Sequence, residues 1–383
     1  MNPTVTISSV AHGGYGIARI DGQVCFIPYA LPGDEVVVQV ERRSKGVLWG
    51  AIDRIVAPSP DRIDPGCGVY GRCGACTWLH FAYPAQAEWK RRIVRDCFER
   101  IAKLQVEVTW ADDPDRRLHY RTRAEFHGDG NGFGFYAGGT HDVVDVVTCP
   151  LCHPRLNTVL SRLRELGLRG SVEVSVNPES DDVLVWSTKQ SAPLASAYPN
   201  AQWIGSDGPR AQFRFDGVPV VNGAFSQSSL LLNRVLLRVV QEAVGDSERI
   251  LDLYCGSGNL SLAFARDRSV VGIDHNRASI EAAQAAGQGE YRTGDETAFG
   301  AALGEGQWDA ILLDPPRTGA KPVAGVLAEC RAKRVVYVSC DPATLARDAK
   351  VLAAGGWKPN RVTAVDLFPN TCHIEAVCEF LRA

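Results

Sequence analysis

Cys340 stands where two kinds of local structure meet. The run RVVYVSCDPATLARD, residues 334 to 348, has an unbroken apolar stretch from Val335 to Val338, then Ser339 and Cys340, then Asp341 and Pro342, which open a helix. This pattern predicts a buried strand that delivers a cysteine to the first turn of a helix. In an open α/β sheet that edge is where ligands bind, and the partial positive charge of the helix end favours a thiolate. Alone, Cys340 could equally be packed and inert. Glu375, on the loop PNTCHIE ahead of the last strand, is a carboxylate able to face the same edge and take a proton.

The cofactor signal lies upstream. ILDLYCGSGNL, residues 250 to 260, reads as a buried strand that empties into a Gly-x-Gly turn and a helix. Gly256 and Gly258 let the backbone approach a ligand, and Asp274, ending the strand VVGID, can accept hydrogen bonds from a ribose diol. A dinucleotide fingerprint wants a third glycine near Ser261, and none is there. A nucleoside without a pyrophosphate, S-adenosylmethionine, therefore fits better than NAD. LDPPR, residues 313 to 317, ends another strand with an acid and two prolines, a rigid floor on which Asp314 can hold substrate or cofactor. Amine methyltransferases favour an aromatic after the prolines; Arg317 stands there, which argues against amine methylation.

Twelve cysteines in a chain without a basic and apolar leader point to a reducing, cytosolic setting and to metal or catalytic thiols rather than disulfides. Cys67, Cys73 and Cys76 with a distant fourth thiolate could hold a four-iron cluster. CGAC at 73–76 with CPLC at 149–152 could equally form a zinc site that leaves Cys67 out.

These groups need a scaffold, and 383 residues allow two or three domains. Residues 1–58 carry short β-rich runs between Gly-Gly, Asp-Gly and Pro-Gly-Asp turns, an OB-like β-barrel in which Arg42, Arg43 and Lys45 could meet phosphates. Residues 59–215 form an α+β central domain with the cysteines and a helix from Pro84 to about Lys103. From Lys90 to Arg123 ten basic residues face six acids, either a solvated face or an RNA track. Residues 216–383 alternate strands and helices, which predicts a doubly wound, Rossmann-like α/β domain. The runs at 362–366 and 374–380 are joined too closely for a crossover and should pair antiparallel. A net charge of −3 argues against gripping nucleic acid with the whole surface, and no stretch is long and apolar enough to span a bilayer.

Taken together, GAFSQ, LDLYCGSGNL, LLDPPR, VSCDPATLARD and PNTCHIE resemble the RNA 5-methyluridine methyltransferase family, in the branch with an N-terminal TRAM barrel and an iron–sulfur cluster. The resemblance covers nearly the whole chain and implies a class I S-adenosylmethionine-dependent methyltransferase domain. It implies Cys340 as nucleophile, Glu375 as general base, and Gln227, Tyr254, Gly256, Gly258, Asn259, Asp274, Asp295 and Asp314 around the cofactor and base. It also implies a [4Fe–4S] cluster on Cys67, Cys73, Cys76 and Cys149. Asp341 replaces the asparagine of many members. The expected substrate is uridine C5 in structured RNA, 23S rRNA first and tRNA second, acted on by a cytoplasmic monomer. An RNA 5-methylcytosine methyltransferase is the enzymatic alternative, although it calls for Pro-Cys where this chain has Ser-Cys. A non-catalytic iron–sulfur RNA-binding factor is the alternative outside enzymes.

Overall fold

The computed structural model describes residues 2–306 and 308–382. Six short strands of the first 57 residues form one sheet in the order Thr4–Thr6, Glu35–Ser44, Val47–Ala57, Gln23–Ile27, Gly16–Ile20, Ser9–Val10. Inward residues of these strands and Ile7, between the first two in sequence, close on a small core with Ala18, Cys25, Ile27, Val36, Val38 and Leu48. Arg42 and Arg43 are exposed on the long hairpin, and Arg42 lies over the Trp49 ring. Just beyond it, Arg62 pairs with the buried carboxylate of Asp34, which fixes the start of the linker against the barrel.

The middle of the chain builds a second six-stranded sheet, ordered Val143–Asp145, Phe133–Tyr136, Arg123–Asp129, Arg169–Val176, Val183–Ser187, Gln202–Trp203. The helix Pro154–Arg164 buries Leu156, Val159, Leu160 and Leu163 in the same core cluster as Val172 and Val174.

An eight-stranded sheet carries the candidate site. Its order is Glu290–Thr293, Ser269–Asp274, Arg249–Leu253, Ala310–Leu313, Arg334–Ser339, Glu375–Arg382, Trp357–Val365, Val108–Ala111. The central strands are parallel and mostly apolar and buried, as a sheet covered on both faces requires. Glu375–Arg382 is antiparallel to both neighbours, the arrangement that its short connection demands. The edge strand Val108–Ala111 comes from the stretch read as central domain, and it pairs in parallel with Trp357–Val365.

The helix Tyr83–Cys97 and the π-helical turn Phe98–Ala102 pack their Ile93, Val94 and Phe98 into this second layer of core. Lys103, at φ 60, ends the run in left-handed backbone. Two polar residues of the helix, Gln86 and Lys90, are fully buried; for Lys90 this is contrary to the solvated or RNA-facing role that the basic stretch from Lys90 suggested. Lys90 donates 2.8 Å to Asp366, so it cannot also serve phosphates. Arg91, Arg116 and Arg123 pair with Glu88, Asp113 and Glu173, which leaves a less basic surface than the composition implies.

No helix among the described residues is long and apolar enough to cross a membrane.

Candidate active site

The order of the eight-stranded sheet reverses between Arg249–Leu253 and Ala310–Leu313, and the crevice at their carboxyl ends is the binding position of such sheets. The turn after Arg249–Leu253 lines it. Tyr254, Gly256 and Gly258 all have positive φ, at 59°, 54° and 83°. A Cβ built on Gly256 meets nothing within 4 Å, so that backbone faces open space, whereas one on Gly258 would strike Leu262 at 2.6 Å. The expected α-helix after this turn is absent; the chain winds through turns into the single 3-10 turn Phe264–Arg266, because the left-handed glycines break the helical register. Ser261, where a dinucleotide site would carry glycine, is fully buried and hydrogen-bonded to the Tyr291 hydroxyl at 3.0 Å.

Asp274 holds the turn from the next strand. Its carboxylate accepts from the Gly256 amide at 2.9 Å and from the Asn276 amide at 2.7 Å, leaving its remaining lone pairs for a diol. Asp295 caps the helix Glu296–Glu305 by accepting from the Thr297 and Ala298 amides and is exposed at the tip of the neighbouring strand. Tyr254 packs edge-on against Phe299. Asn259 exchanges paired amide hydrogen bonds with Asn233, at 2.7 and 3.1 Å, so it ties the turn to the helix Leu230–Val244. Gln227 is buried in the segment entering that helix, and a hydrogen bond of 2.8 Å from Ser257 to Pro219 draws the preceding strand to the glycine turn.

The strand register brings the reacting groups together. Ser339 pairs with Ala376, which sets Cys340 opposite Glu375, and Asp314 ends the adjoining strand. Glu375 is 3% exposed. Burial pushes its carboxyl well above the usual range, the neighbouring Asp314 adds to this, and Arg317 opposes it. Asp314 is pushed up to about 7 by burial. The Cys340 thiol is pushed up to about 11, first by burial and then by Glu375 and Asp314, while Arg317 pulls it down. The helix end that favours a thiolate is thus outweighed by burial together with the two carboxyls. Asp341 spends one carboxylate oxygen capping the helix Pro342–Ala354 through the Ala343 and Thr344 amides.

Two residues outside the expected set, Arg317 and Asp252, belong to this edge, and Phe225 is exposed elsewhere. Arg317 is the local positive charge beside Cys340; its place after the two prolines was the available signal. Asp252, inside the LDLYCGSG strand, has both carboxyl oxygens buried without a hydrogen-bond partner among the described residues, and burial pushes it up to about 8. Phe225, two residues before Gln227, is 70% exposed with Arg123 over its ring. An exposed phenylalanine beside a guanidinium is a stacking surface for a base.

The cysteine pattern is only partly realised. Cys73, Cys76, Cys149 and Cys152 are buried in one core cluster with Cys67 packed against it, and all are free thiols. Among the described residues no group of three or more His, Cys, Asp or Glu is arranged to hold a metal ion. The neighbouring Cys152 thiol pulls the Cys149 thiol down, while burial raises Cys76 to about 12. Asn157 accepts from the Cys149 amide and donates to both cysteine carbonyls, fixing the CPLC turn.

A doubly wound sheet with an antiparallel last pair, a glycine turn at its switch point and an acid on the next strand defines a class I S-adenosylmethionine-dependent methyltransferase fold. Residues 3–52 match the TRAM domain, and residues 212–291 and 297–382 match tRNA (Uracil-5-)-methyltransferase. The chain is 32% identical to 23S rRNA (uracil(1939)-C(5))-methyltransferase RlmD of Thiobacillus denitrificans, with both chains covered completely. It is 29% identical to an uncharacterized RNA methyltransferase of Thermotoga maritima, covering 99% of this chain and 98% of the relative. The crystal structure of Pyrococcus abyssi tRNA (uracil-54, C5)-methyltransferase in complex with S-adenosyl-L-homocysteine superimposes with a TM-score of 0.77 at 24% identity, over 99% of this chain and all of that one. The chain belongs to the tRNA (Uracil-5-)-methyltransferase family, with an N-terminal TRAM domain, and is by that membership an RNA (uracil-5-)-methyltransferase.

Proposed function

We propose that this enzyme methylates C5 of a uridine in 23S rRNA, in the cytoplasm, through a covalent adduct on Cys340. The observation that carries the mechanism is the register that sets Cys340 opposite Glu375 with Asp314 and Arg317 beside them. The 23S assignment rests on full-length similarity to a 23S rRNA enzyme. Uracil C5 is too weak a nucleophile to take a sulfonium methyl directly. Sγ of Cys340 adds to C6, and the enolate so formed carries its electron pair to C5. S-adenosylmethionine supplies the methyl group to that carbon. Glu375 then takes the C5 proton, and the returning electron pair expels Sγ from C6. Burial raises the Glu375 carboxyl, so once ionised it is a stronger base than an exposed one, and it must be ionised before this step. Gly256, Asp274 and Asp314 would hold the adenosine and methionine parts, with Gln227, Tyr254, Asn259 and Asp295 completing the wall. Arg42, Arg43 and Phe225 offer the RNA phosphate and stacking contacts.

Mapping methyl groups by mass in rRNA and tRNA from cells lacking the protein tests the substrate. Loss of one 5-methyluridine from 23S rRNA supports it, loss from tRNA alone would move the assignment to tRNA, and loss of 5-methylcytosine would move it to cytosine. Unchanged RNA, with no labelled methyl transferred to bulk RNA in vitro, would leave a non-catalytic RNA-binding factor.

The raised Cys340 thiol gives a pH dependence. With a pKa of about 11, only about one molecule in 10⁴ is thiolate at pH 7, and the fraction grows about tenfold per pH unit until the pKa is reached. Single-turnover adduct formation with RNA carrying 5-fluorouridine should therefore rise about tenfold per unit from pH 7 to 9. A flat profile would mean that the proton passes internally to Asp314 or Glu375.

For the cysteines we propose a [4Fe–4S] cluster on Cys67, Cys73, Cys76 and Cys149, whose work is to cross-link the central domain. The donor chemistry fits, with four reduced thiols in one core, one of them already lowered. Protein purified without oxygen should be brown and contain iron and sulfide. Cys149→Ser should lose them and Cys152→Ser should not. Stoichiometric zinc without sulfide, or loss only in Cys152→Ser, would replace the cluster with a zinc site.

A further inference from the structure

The loop from Asp366 to His373 delivers Glu375 to the site, yet much of what holds it comes from the segment between Thr77 and Tyr120. Gln86 is 0% exposed and lies at the centre of this contact. Its side-chain oxygen accepts from the Asn370 amide at 2.9 Å. Its Nε2 donates to Asn370 Oδ1 at 3.1 Å and to the carbonyls of Trp78 and Phe81 at 3.2 and 2.6 Å. Asn370 is held at φ 64, a left-handed conformation uncommon for a residue with a side chain, and its Nδ2 donates to the Arg117 carbonyl at 2.7 Å.

Further ties flank this one. The Trp78 amide donates to the Asn370 carbonyl at 3.1 Å, the Cys372 amide donates to Thr77 Oγ1 at 3.1 Å, and the Tyr120 hydroxyl donates to the Pro369 carbonyl at 2.9 Å. Lys90 donates to the Asp366 carboxylate and, at 3.0 Å, to the Phe368 carbonyl. Nothing in the chemistry of uracil methylation requires a buried glutamine on a distant helix. A glutamine that pairs with both the backbone amide and the side-chain oxygen of one left-handed loop residue does fix that loop against rotation.

We propose that Gln86 is a positioning residue for Glu375: it locks Asn370 and thereby sets the carboxylate in line with the C5 proton. This rests on the reading of Glu375 as the base. A displacement of about 1 Å at a reacting group costs about 10²-fold in rate, which is the size of the effect at stake.

The test is Gln86→Met, which keeps length and apolar volume but removes every hydrogen bond, measured alongside Glu375→Gln on the full-length enzyme. Three quantities are read: the Kd for S-adenosylmethionine, the yield of Cys340 adduct with 5-fluorouridine RNA, and the release rate of methylated natural RNA. Gln86→Met should leave the first two near native and slow release about 10²-fold, with methylated RNA held on Cys340. Release at the native rate would overturn the proposal, as would a raised Kd and a lower adduct yield in step with the slower release, which is what loosened packing alone produces. Should Gln86→Met fail to fold, Asn370→Gly is read in the same way. Glycine takes φ 64 without strain and keeps the amide bond to Gln86, so it should fold and slow release about tenfold; native release there would overturn the proposal too. Failure of Glu375→Gln itself to hold the adduct would instead remove the base assignment on which the proposal rests.

Discussion

Cys340→Ala is expected to lower methyl transfer by about 10⁴-fold or more, to the limit of detection, while S-adenosylmethionine binds with nearly its native affinity. The separation follows from where the groups sit. The adenosine position is built by Gly256, Gly258 and Asp274 on the strands Arg249–Leu253 and Ser269–Asp274, and the thiol lies two strands away, at the end of Arg334–Ser339. Alanine removes a partly buried sulfur that makes no hydrogen bond essential to the fold, so the cost in stability should be about 1 kcal/mol. Loss of a nucleophile removes the whole covalent route rather than a fraction of its rate, because no neighbouring group can add to C6 in its place. Labelled methyl transfer, calorimetric titration with S-adenosylmethionine and a denaturing gel with 5-fluorouridine RNA measure the three consequences together. A variant that turns over at a substantial fraction of the native rate, or that still gives a covalent band, would remove Cys340 from the reaction. Equal loss of cofactor binding would mean that the two sites are not separate.

The methyltransferase half was largely legible because its signals are local. An unbroken apolar strand followed by Gly-x-Gly, an acid at the next strand tip, and a strand running into Cys340 each lie within a dozen residues, and they place the groups along one sheet edge without knowledge of any long-range contact. What stayed hidden depends on contacts between distant parts of the chain. Lys90 reads as part of a basic run and Gln86 gives no signal, and their burial is explained only by Asp366 and Asn370, 276 and 284 residues further on. The strand Val108–Ala111 has four residues and no periodicity to exploit, and its partner Trp357–Val365 is equally remote. Electrostatics were misjudged for a related reason. The helix end beside Cys340 is visible in sequence, but the two carboxyls that raise its thiol arrive from other strands, so their sum with burial could not be weighed against the dipole. The cysteine pattern showed which thiols would become neighbours, while which of them share a common centre is not encoded in spacing.

Glu375→Gln separates the last step of the proposed reaction from the first two. Glutamine keeps the size and much of the hydrogen bonding of the carboxyl but cannot accept a proton near neutral pH, whereas Cys340 addition and methyl transfer precede that demand. The substitution also removes one of the carboxyls that raise the Cys340 thiol, so adduct formation should proceed at least as readily as in the native enzyme. Asp314 should ionise more easily as well, since Glu375 is its buried neighbour and their charges oppose one another. The expected result is accumulation of RNA that is already methylated at C5 and still joined to Cys340. A barrier raised by about 3–5 kcal/mol on proton removal slows release by roughly two to four decades, the scale for losing a general base. Water can substitute weakly, so slow escape rather than permanent trapping is expected. A denaturing gel with labelled methyl donor, followed by peptide mapping, locates the label on the peptide that contains Cys340. Turnover near the native rate, or a stall without methylated adduct, would pass the role of base to a water held by Asp314, the nearest remaining carboxylate with both a raised pKa and a place at the same strand edge.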